Sequence, residues 1–193
     1  MTPIESVSAN RWLPVRRRLL SGAGLALSAT AVALLGGRES LAAAASGGET
    51  EADLRILRTA LAAEREAIAA YQLGADSGLL TADVRKLAIG FQSHHKEHAD
   101  ALAATVRKLG GTVPAGKADH AFPTDRLRSQ TDVLQFAASL EKGAVSAYLG
   151  TVPLFADRQL AQVAASILGD EAMHWAVLRQ ALGQDPVPAA FMA

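Results

Sequence analysis

The sequence predicts an all-α protein whose mature part is a bundle of four helices. Half of the chain is hydrophobic but only 5% is aromatic, and Ala and Leu dominate, which favours helix over strand. Four segments repeat apolar residues at steps of three and four, the period of an amphipathic helix. Glycine or proline follows each of the first three segments, as expected where one helix stops before the next begins.

Composition excludes several classes of protein. The chain has no Cys, so it can form neither a disulfide framework nor a thiolate metal site. Acidic and basic residues are equal in number and the formal net charge is zero. With no basic stripe along any predicted helix, nothing indicates a nucleic-acid partner.

Residues 1–45 have the features of an export signal. Three arginines, Arg16 to Arg18, precede Leu19-Leu20, and an apolar, Gly- and Ala-rich run continues to Leu35. The small residues of the segment 41–46 then offer cleavage sites. The paired arginines before two leucines resemble a twin-arginine export signal. We therefore predict a signal peptide at 1–45, a mature domain at 46–193, and a periplasmic or otherwise exported location.

The alternative is an uncleaved membrane anchor. The apolar run is about 17 residues long, at the lower edge of what spans a bilayer. Under the signal-peptide interpretation, the mature domain has no stable membrane insertion after cleavage.

The first helix is expected to begin after an N-cap at Thr50, and residues 46–50 read as a flexible lead. Residues 111–128 lack an apolar period and are expected to form a long loop that crosses the length of the bundle. The four predicted helices run from about Glu51 to Ala75, from Thr81 to Leu109, from Ser129 or Thr131 to Val152, and from Asp157 to Leu182.

Polar residues interrupt the apolar stripe of every predicted helix. In the fourth helix, Glu171 and His174 stand three residues apart on one face, where leucine would be expected. Glu64 takes a core position in the first helix and Glu141 in the third. The predicted stripes include Leu54, Leu57, Leu61, Ile68 and Tyr71; His94 or His95, then His98; Leu134, Ala137, Ala144 and Tyr148; and Leu160, Val163, Ile167, Leu178 and Leu182.

An internal repeat relates the two halves of the mature domain. Glu64 precedes Tyr71 by seven residues, as Glu141 precedes Tyr148, and small residues fill both intervals. The second and fourth helices also match, with His98 aligned to His174. We therefore expect two similar helical hairpins joined by the long loop. We also expect each tyrosine hydroxyl to bond to a neighbouring carboxylate.

Buried carboxylates need a partner, because an isolated buried charge costs several kcal/mol. Metal ions supply one, and carboxylate and imidazole groups are ligands that suit iron and manganese. The pattern resembles the ferritin-like di-iron and di-manganese carboxylate proteins, in which two helices each give a Glu and two give a Glu-x-x-His pair. It also resembles an uncharacterised exported ferritin-like family in its Ala-Leu-Ala-Ala-Glu64 stretch, its His-rich second helix and its Phe122-Pro123 pair.

One residue departs from the pattern that this resemblance implies. The position of the second helix that aligns with Glu171 holds His95, so a carboxylate that would bridge two ions is absent. Glu97, paired with His94, is an alternative replacement. Our prediction for the metal ligands is Glu64, His95, His98, Glu141, Glu171 and His174.

The resemblance implies an exported ferritin-like protein that binds one or two Fe or Mn ions in the bundle core. Reduction of O₂ or peroxide at the metal is the chemistry that such a site would support. The competing function is a metal-free bundle that acts as a periplasmic interaction or structural module, in which the polar side chains hydrogen-bond across the core. Enzyme activity is left open, and a homodimer is allowed for.

Overall fold

The computed structural model describes residues 39–117 and 119–192, with side chains from Gly47 onward. The chain divides into two units between Gly47 and Gly48, and the bundle core and the site described below belong to the second. The helices are α1 (Glu39–Asp76), α2 (Ala82–Lys108), α3 (Gln130–Thr151) and α4 (Arg158–Ala181), with 3₁₀ turns at Thr124–Arg126 and Val152–Leu154. Residues 39–117 and 119–192 contain no strand, so the predicted all-α class with four helices is confirmed.

The export signal predicted at 1–45 falls almost entirely outside the described residues. None of the helices in the described part of the chain is both long enough and apolar enough to cross a membrane. The apolar run at 19–35 lies outside the described residues.

The predicted start of α1 was wrong. Helix α1 begins at Glu39 and passes through Thr50, which is therefore not its N-cap. The Ala-rich stretch that precedes Ser46 has high helix propensity and carries the helix through Gly47 and Gly48. The other helix boundaries agree with the prediction to within one or two residues.

Side-chain caps fix the starts of α3 and α4. The hydroxyl of Ser129 accepts a hydrogen bond from the Asp132 N–H at the start of α3. The carboxylate of Asp157 accepts bonds from the N–H groups of Gln159 and Leu160, the second and third residues of α4. Thr81 precedes α2 without a side-chain cap bond. These caps satisfy N–H groups that have no partner inside the helix.

Contacts between helices define the direction of each one. Gly111 at the end of α2 touches Leu54 near the start of the core-forming part of α1, so α1 and α2 are antiparallel. Tyr148 reaches Glu64 while Tyr71 reaches Glu141, so α1 and α3 are antiparallel as well. Consequently α2 and α3 run parallel, and the chain must cross from one end of the bundle to the other between them.

The crossing segment, residues 109–129, lies along α1. The Arg65 guanidinium donates to the Pro114 carbonyl at 2.6 Å, and Arg58 donates to the Thr112 carbonyl at 3.3 Å. Gly111 packs closely against its surroundings: a Cβ atom there would lie 2.6 Å from the Leu54 side chain and 3.1 Å from the Val106 carbonyl oxygen, so Leu54 would have to shift. This confirms the predicted arrangement of two hairpins joined by a long crossover.

Two apolar clusters fill the interior. One contains Tyr71, Phe91, Leu134, Ala138 and Leu178. The other is larger and occupies the opposite part of the bundle; it consists of Leu54, Leu57, Leu61, Ala99, Leu102, Ala103, Val106, Tyr148, Phe155, Ala164 and Ile167. The buried polar residues lie between the clusters, so both enclose the candidate site.

Some predicted core positions were displaced by one residue. Val163 is 48% exposed, whereas the neighbouring Ala164 is buried. In α3, Ala138 and Val145 are buried more deeply than Ala137 and Ala144. A prediction with one core residue per turn describes a narrow stripe, whereas a helix that is contacted by several neighbours buries a wider face.

Candidate metal centre

Three glutamates and three histidines meet at the middle of the bundle, contributed by all four helices. Five of these side chains are almost completely buried, with exposed fractions of 0–3%. The sixth, His98, has a side chain that is 15% exposed. The structure thus brings together every residue that the sequence predicted as a ligand, namely Glu64, His95, His98, Glu141, Glu171 and His174.

The site consists of two overlapping groups. Glu64, His95, His98 and Glu171 form the first, and the second combines His95 and Glu171 with Glu141 and His174. Within each group, one potential ligand atom of each residue lies within 4.8 Å of all the others. His95 and Glu171 belong to both groups, so each is placed between the two.

Five buried atoms of the site have no hydrogen-bond partner. They are the Oε2 atom of Glu141, both carboxylate oxygens of Glu171, and the Nδ1 atoms of His98 and His174. Several of them lie close together: His98 Nδ1 is 3.1 Å from Glu171 Oε1, and His174 Nδ1 is 3.8 Å from Glu171 Oε2. Buried polar atoms are normally satisfied. Oxygen and imidazole donors left open at one point therefore fit a transition-metal ion.

Two tyrosines hold the glutamates of α1 and α3 in a reciprocal arrangement. The Tyr148 hydroxyl donates to Glu64 Oε1 at 2.6 Å, and the Tyr71 hydroxyl donates to Glu141 Oε1. Each hairpin thus supplies the tyrosine that orients the other hairpin's carboxylate. The prediction that the tyrosine hydroxyls bond to neighbouring carboxylates is confirmed.

Asp170 lies on the outer side of the histidines, and its role was missed in the sequence. Its Oδ2 atom is 3.3 Å from His174 Nε2 and 3.5 Å from His98 Nε2. Both histidines therefore turn one nitrogen toward the glutamates and the other toward Asp170. A carboxylate in this position orients an imidazole ligand and raises its basicity. The adjacency of Asp170 to Glu171 was the available signal.

The alternative candidates His94 and Glu97 lie outside the buried site. The His94 side chain is 48% exposed, stacks on the His174 ring, and shares a 2.9 Å hydrogen bond with its Nε2 atom. With Asp170 and His174 it forms a shallower third group. Glu97 lies on the exposed face of α2. The residue that takes the place of the absent carboxylate is therefore His95.

Burial and the nearby carboxylates set the protonation of the site. Burial alone would lower the pKa of His95, but its hydrogen bonds to Glu141 and Glu64 outweigh this and raise the pKa to about 10. For His98, burial is opposed by close contacts with the carboxylates of Glu171 and Glu64, and the pKa rises to about 9. Contacts with Glu141 and Glu171 likewise raise the pKa of His174 to about 9, against burial.

The glutamates shift in the opposite direction. Burial raises the pKa of Glu141, but the close contacts with the His174 and His95 rings outweigh it and lower the pKa. Burial acts on Glu64 in the same way and is outweighed by the close contacts with the His95 and His98 rings, so its pKa is lowered. Without metal, the negative carboxylates are therefore compensated by protonated histidines. A metal ion must displace these protons in order to bind.

A cleft between α1 and α3 leads to the site. Its volume is about 310 Å³, and small residues form much of its wall. Glu64, His95, Glu141 and Tyr148 line its inner part. The cleft is large enough to admit a small molecule to the carboxylates.

Comparison with known proteins agrees with this architecture. Residues 52–184 match the family model described as a ferritin-like domain. The fold is similar to that of a conserved hypothetical protein, rv2844, from Mycobacterium tuberculosis (TM-score 0.64, 25% identity, covering 74% of this chain and 99% of that one). It is also similar to a ferritin like, diiron-carboxylate protein from Bacillus anthracis (TM-score 0.59, 20% identity, 69% and 97% covered).

No protein of curated function matches the chain. The family match, by contrast, covers all of the residues that form the site and well over half of the sequence. The protein therefore belongs to the ferritin-like domain family.

Proposed function

We propose that this protein is an exported ferritin-like metalloprotein that binds Fe or Mn between its four helices and reduces O₂ or peroxide there. The observation that carries the proposal is the set of five unsatisfied buried atoms that converge from four ligand residues. In a core without metal, buried polar atoms that converge from α2, α3 and α4 and lack hydrogen-bond partners would only destabilise the fold. Coordination would satisfy all of them together and offset their desolvation.

Some side chains of the site would bind the metal directly, and others would hold those ligands in position. Glu64 and His98 would hold one ion and Glu141 and His174 the other, with His95 and Glu171 between them. The tyrosines keep Glu64 and Glu141 in place, and Asp170 orients both outer histidines. Two bound divalent ions, on oxidation to the trivalent state, would supply the two electrons that reduce peroxide to water, and an external reductant would return those electrons before the next turnover. The cleft between α1 and α3 supports access for O₂ or peroxide.

Metal content of the purified protein tests this function. The protein would be isolated from its own export compartment without chelators and analysed by mass spectrometry. We expect one or two Fe or Mn per chain. Adding Mn²⁺ to chelator-treated protein should raise the melting temperature, because a ligand present at 100 times its Kd stabilises by about 2.7 kcal/mol.

Two variants make the test specific. Glu171→Gln removes a completely buried carboxylate from both groups while keeping its shape, and metal content should fall to background. Glu97→Gln makes the same chemical change on the exposed face of α2 and should leave metal content unchanged. Absence of metal from the parent protein, together with unchanged melting on adding Fe²⁺ or Mn²⁺, would refute metal binding.

Export is supported by the pattern of residues 1–45. Replacing Arg16, Arg17 and Arg18 with lysine keeps the charge but removes the paired arginines. We expect the mature protein to disappear from the exported fraction and the full-length chain to accumulate inside the cell. N-terminal sequencing of the exported protein would identify the cleavage site. Retention of the intact chain in the membrane fraction would instead favour the uncleaved anchor.

One observation favours the metal-free alternative, a helical interaction module. The His95 ring bonds through Nδ1 to Glu64 at 2.8 Å and through Nε2 to Glu141 at 3.2 Å. A doubly protonated His95 thus links the two hairpins without any metal. This alternative predicts full stability in the presence of chelator and no response to added metal.

A further inference from the structure

His95 occupies the midpoint of the site and uses both of its ring nitrogens. Its Nδ1 atom is 2.8 Å from Glu64 Oε2, and its Nε2 atom is 3.2 Å from Glu141 Oε1. The two nitrogens of an imidazole point in different directions. The ring therefore spans the gap between the glutamate of the first group and the glutamate of the second.

Glu171 divides its two oxygens between the groups in the same manner. Its Oε1 atom is 3.1 Å from His98 Nδ1 and 3.5 Å from His95 Nδ1. Its Oε2 atom is 3.8 Å from His174 Nδ1. His95 and Glu171, which the internal repeat aligns with each other, thus form a matched pair of spanning side chains.

We propose that His95 is a bridging ligand, with Nδ1 binding the ion held by Glu64 and His98 and Nε2 binding the ion held by Glu141 and His174. This inference rests on the proposed function, since it requires that the centre binds metal. It assigns to this chain a pair of unlike bridges, one imidazole and one carboxylate. A repeat with glutamate in both positions would instead have two carboxylate bridges.

Charge balance supports the bridge. Two coordinate bonds from one imidazole form only when both nitrogens have released their protons, which pass to solvent, and the ring then carries a negative charge. Together with Glu64, Glu141 and Glu171, it supplies four negative charges. These match the four positive charges of two divalent ions, whereas with a neutral His95 the fourth negative charge would come only from Asp170, which lies behind His98 and His174.

Titration of the metal-free protein with Mn²⁺, followed by calorimetry, tests the bridge. The parent protein should bind two Mn²⁺ per chain. His95→Gln offers a single amide in place of two ring nitrogens, so we expect one ion per chain, or a second ion bound at least about tenfold more weakly. His95→Glu restores a carboxylate and should retain two ions. His120→Gln, in the crossing loop, serves as the matched control and should bind as the parent does.

The outcomes separate the two proposals. Two ions bound by both the parent and His95→Gln with equal affinity would overturn the bridge and leave metal binding intact. A single ion in the parent would do the same. If the parent binds no ion, the proposed function fails and the bridge with it.

A direct measurement covers the case in which His95→Gln does not fold. Crystals of the parent protein soaked in Mn²⁺ would be examined by anomalous scattering. One anomalous peak within bonding distance of each His95 ring nitrogen is the expected result. Two peaks with only one of them, or neither, bonded to His95 would overturn the bridge.

Discussion

Raising the pH should lower the free energy of unfolding of the metal-free protein. The pKa of His95 is raised to about 10, and the pKa values of His98 and His174 are raised to about 9, from an ordinary value of 6.5. Between these limits the folded protein keeps protons that the unfolded chain has released. The stability that these protons contribute is therefore complete below pH 6.5 and is lost as the pH rises through 9 to 10.

The size of the effect follows from the shifted values. Each histidine that stays protonated only in the folded state lowers the free energy of unfolding by about 1.4 kcal/mol per pH unit. For His174 alone, whose side chain is 2% exposed, the interval from 6.5 to about 9 corresponds to about 3 kcal/mol in total. This is a large part of the 5–15 kcal/mol, roughly, that stabilises a typical domain.

Urea unfolding with chelator present at pH 6.5, 7.5 and 8.5 measures this slope. We expect stability to fall at each step. His174→Gln should flatten the slope, whereas His120→Gln, which changes a histidine far from the site, should leave it unchanged. With saturating Mn²⁺ the fall in stability with pH should become smaller or reverse, because the affinity for metal rises as the competing protons are lost. Stability of the chelated protein that stays constant or rises from pH 6.5 to 8.5 would refute the reasoning.

Three further changes test other parts of the structure. Asp53→Ala leaves two backbone N–H groups before α4 without their buried acceptor, so chemical denaturation should show a loss of about 2 kcal/mol or more. Gly111→Ala places a methyl group 2.6 Å from a side chain of α1, and a fall in melting temperature equivalent to about 1–3 kcal/mol is expected. Asp170→Asn removes the charge behind His98 and His174; calorimetry should find Mn²⁺ binding weakened by about 10- to 100-fold.

The positions of the ligands could be predicted because they are local consequences of helix periodicity. Glu64, Glu141, Glu171 and His174 occupy register positions where the flanking residues are apolar, and all four are buried. Helix periodicity alone could not separate His94 from His95, since adjacent residues differ by about 100° around a helix and both fit a two-residue-wide stripe. The prediction of His95 came from its alignment with Glu171 in the internal repeat. The packing of α2 against the other three helices decides between the two histidines.

Features that depend on distant parts of the chain could not be read from the sequence. The carboxylate of Asp53 accepts from the N–H groups of Ala156 and Asp157, more than a hundred residues away. The contact of Asp170 with His98 likewise links two helices through their docking. The predicted start of α1 was too late because Gly47 and Gly48 suggested a flexible lead, whereas the helix begins among the alanines before them and continues through both glycines.

The reciprocal tyrosine contacts have a consequence for the order of assembly in the cell. Neither hairpin can complete its own carboxylate position, because each takes its orienting hydroxyl from the other. A nascent chain that has emerged from the ribosome only through α2 therefore presents three of the four residues of the first group and one of the four residues of the second. Both groups are complete only after α4 has been synthesised and docked. A metal ion held by both groups, as proposed, would therefore be a sign that synthesis and folding are complete.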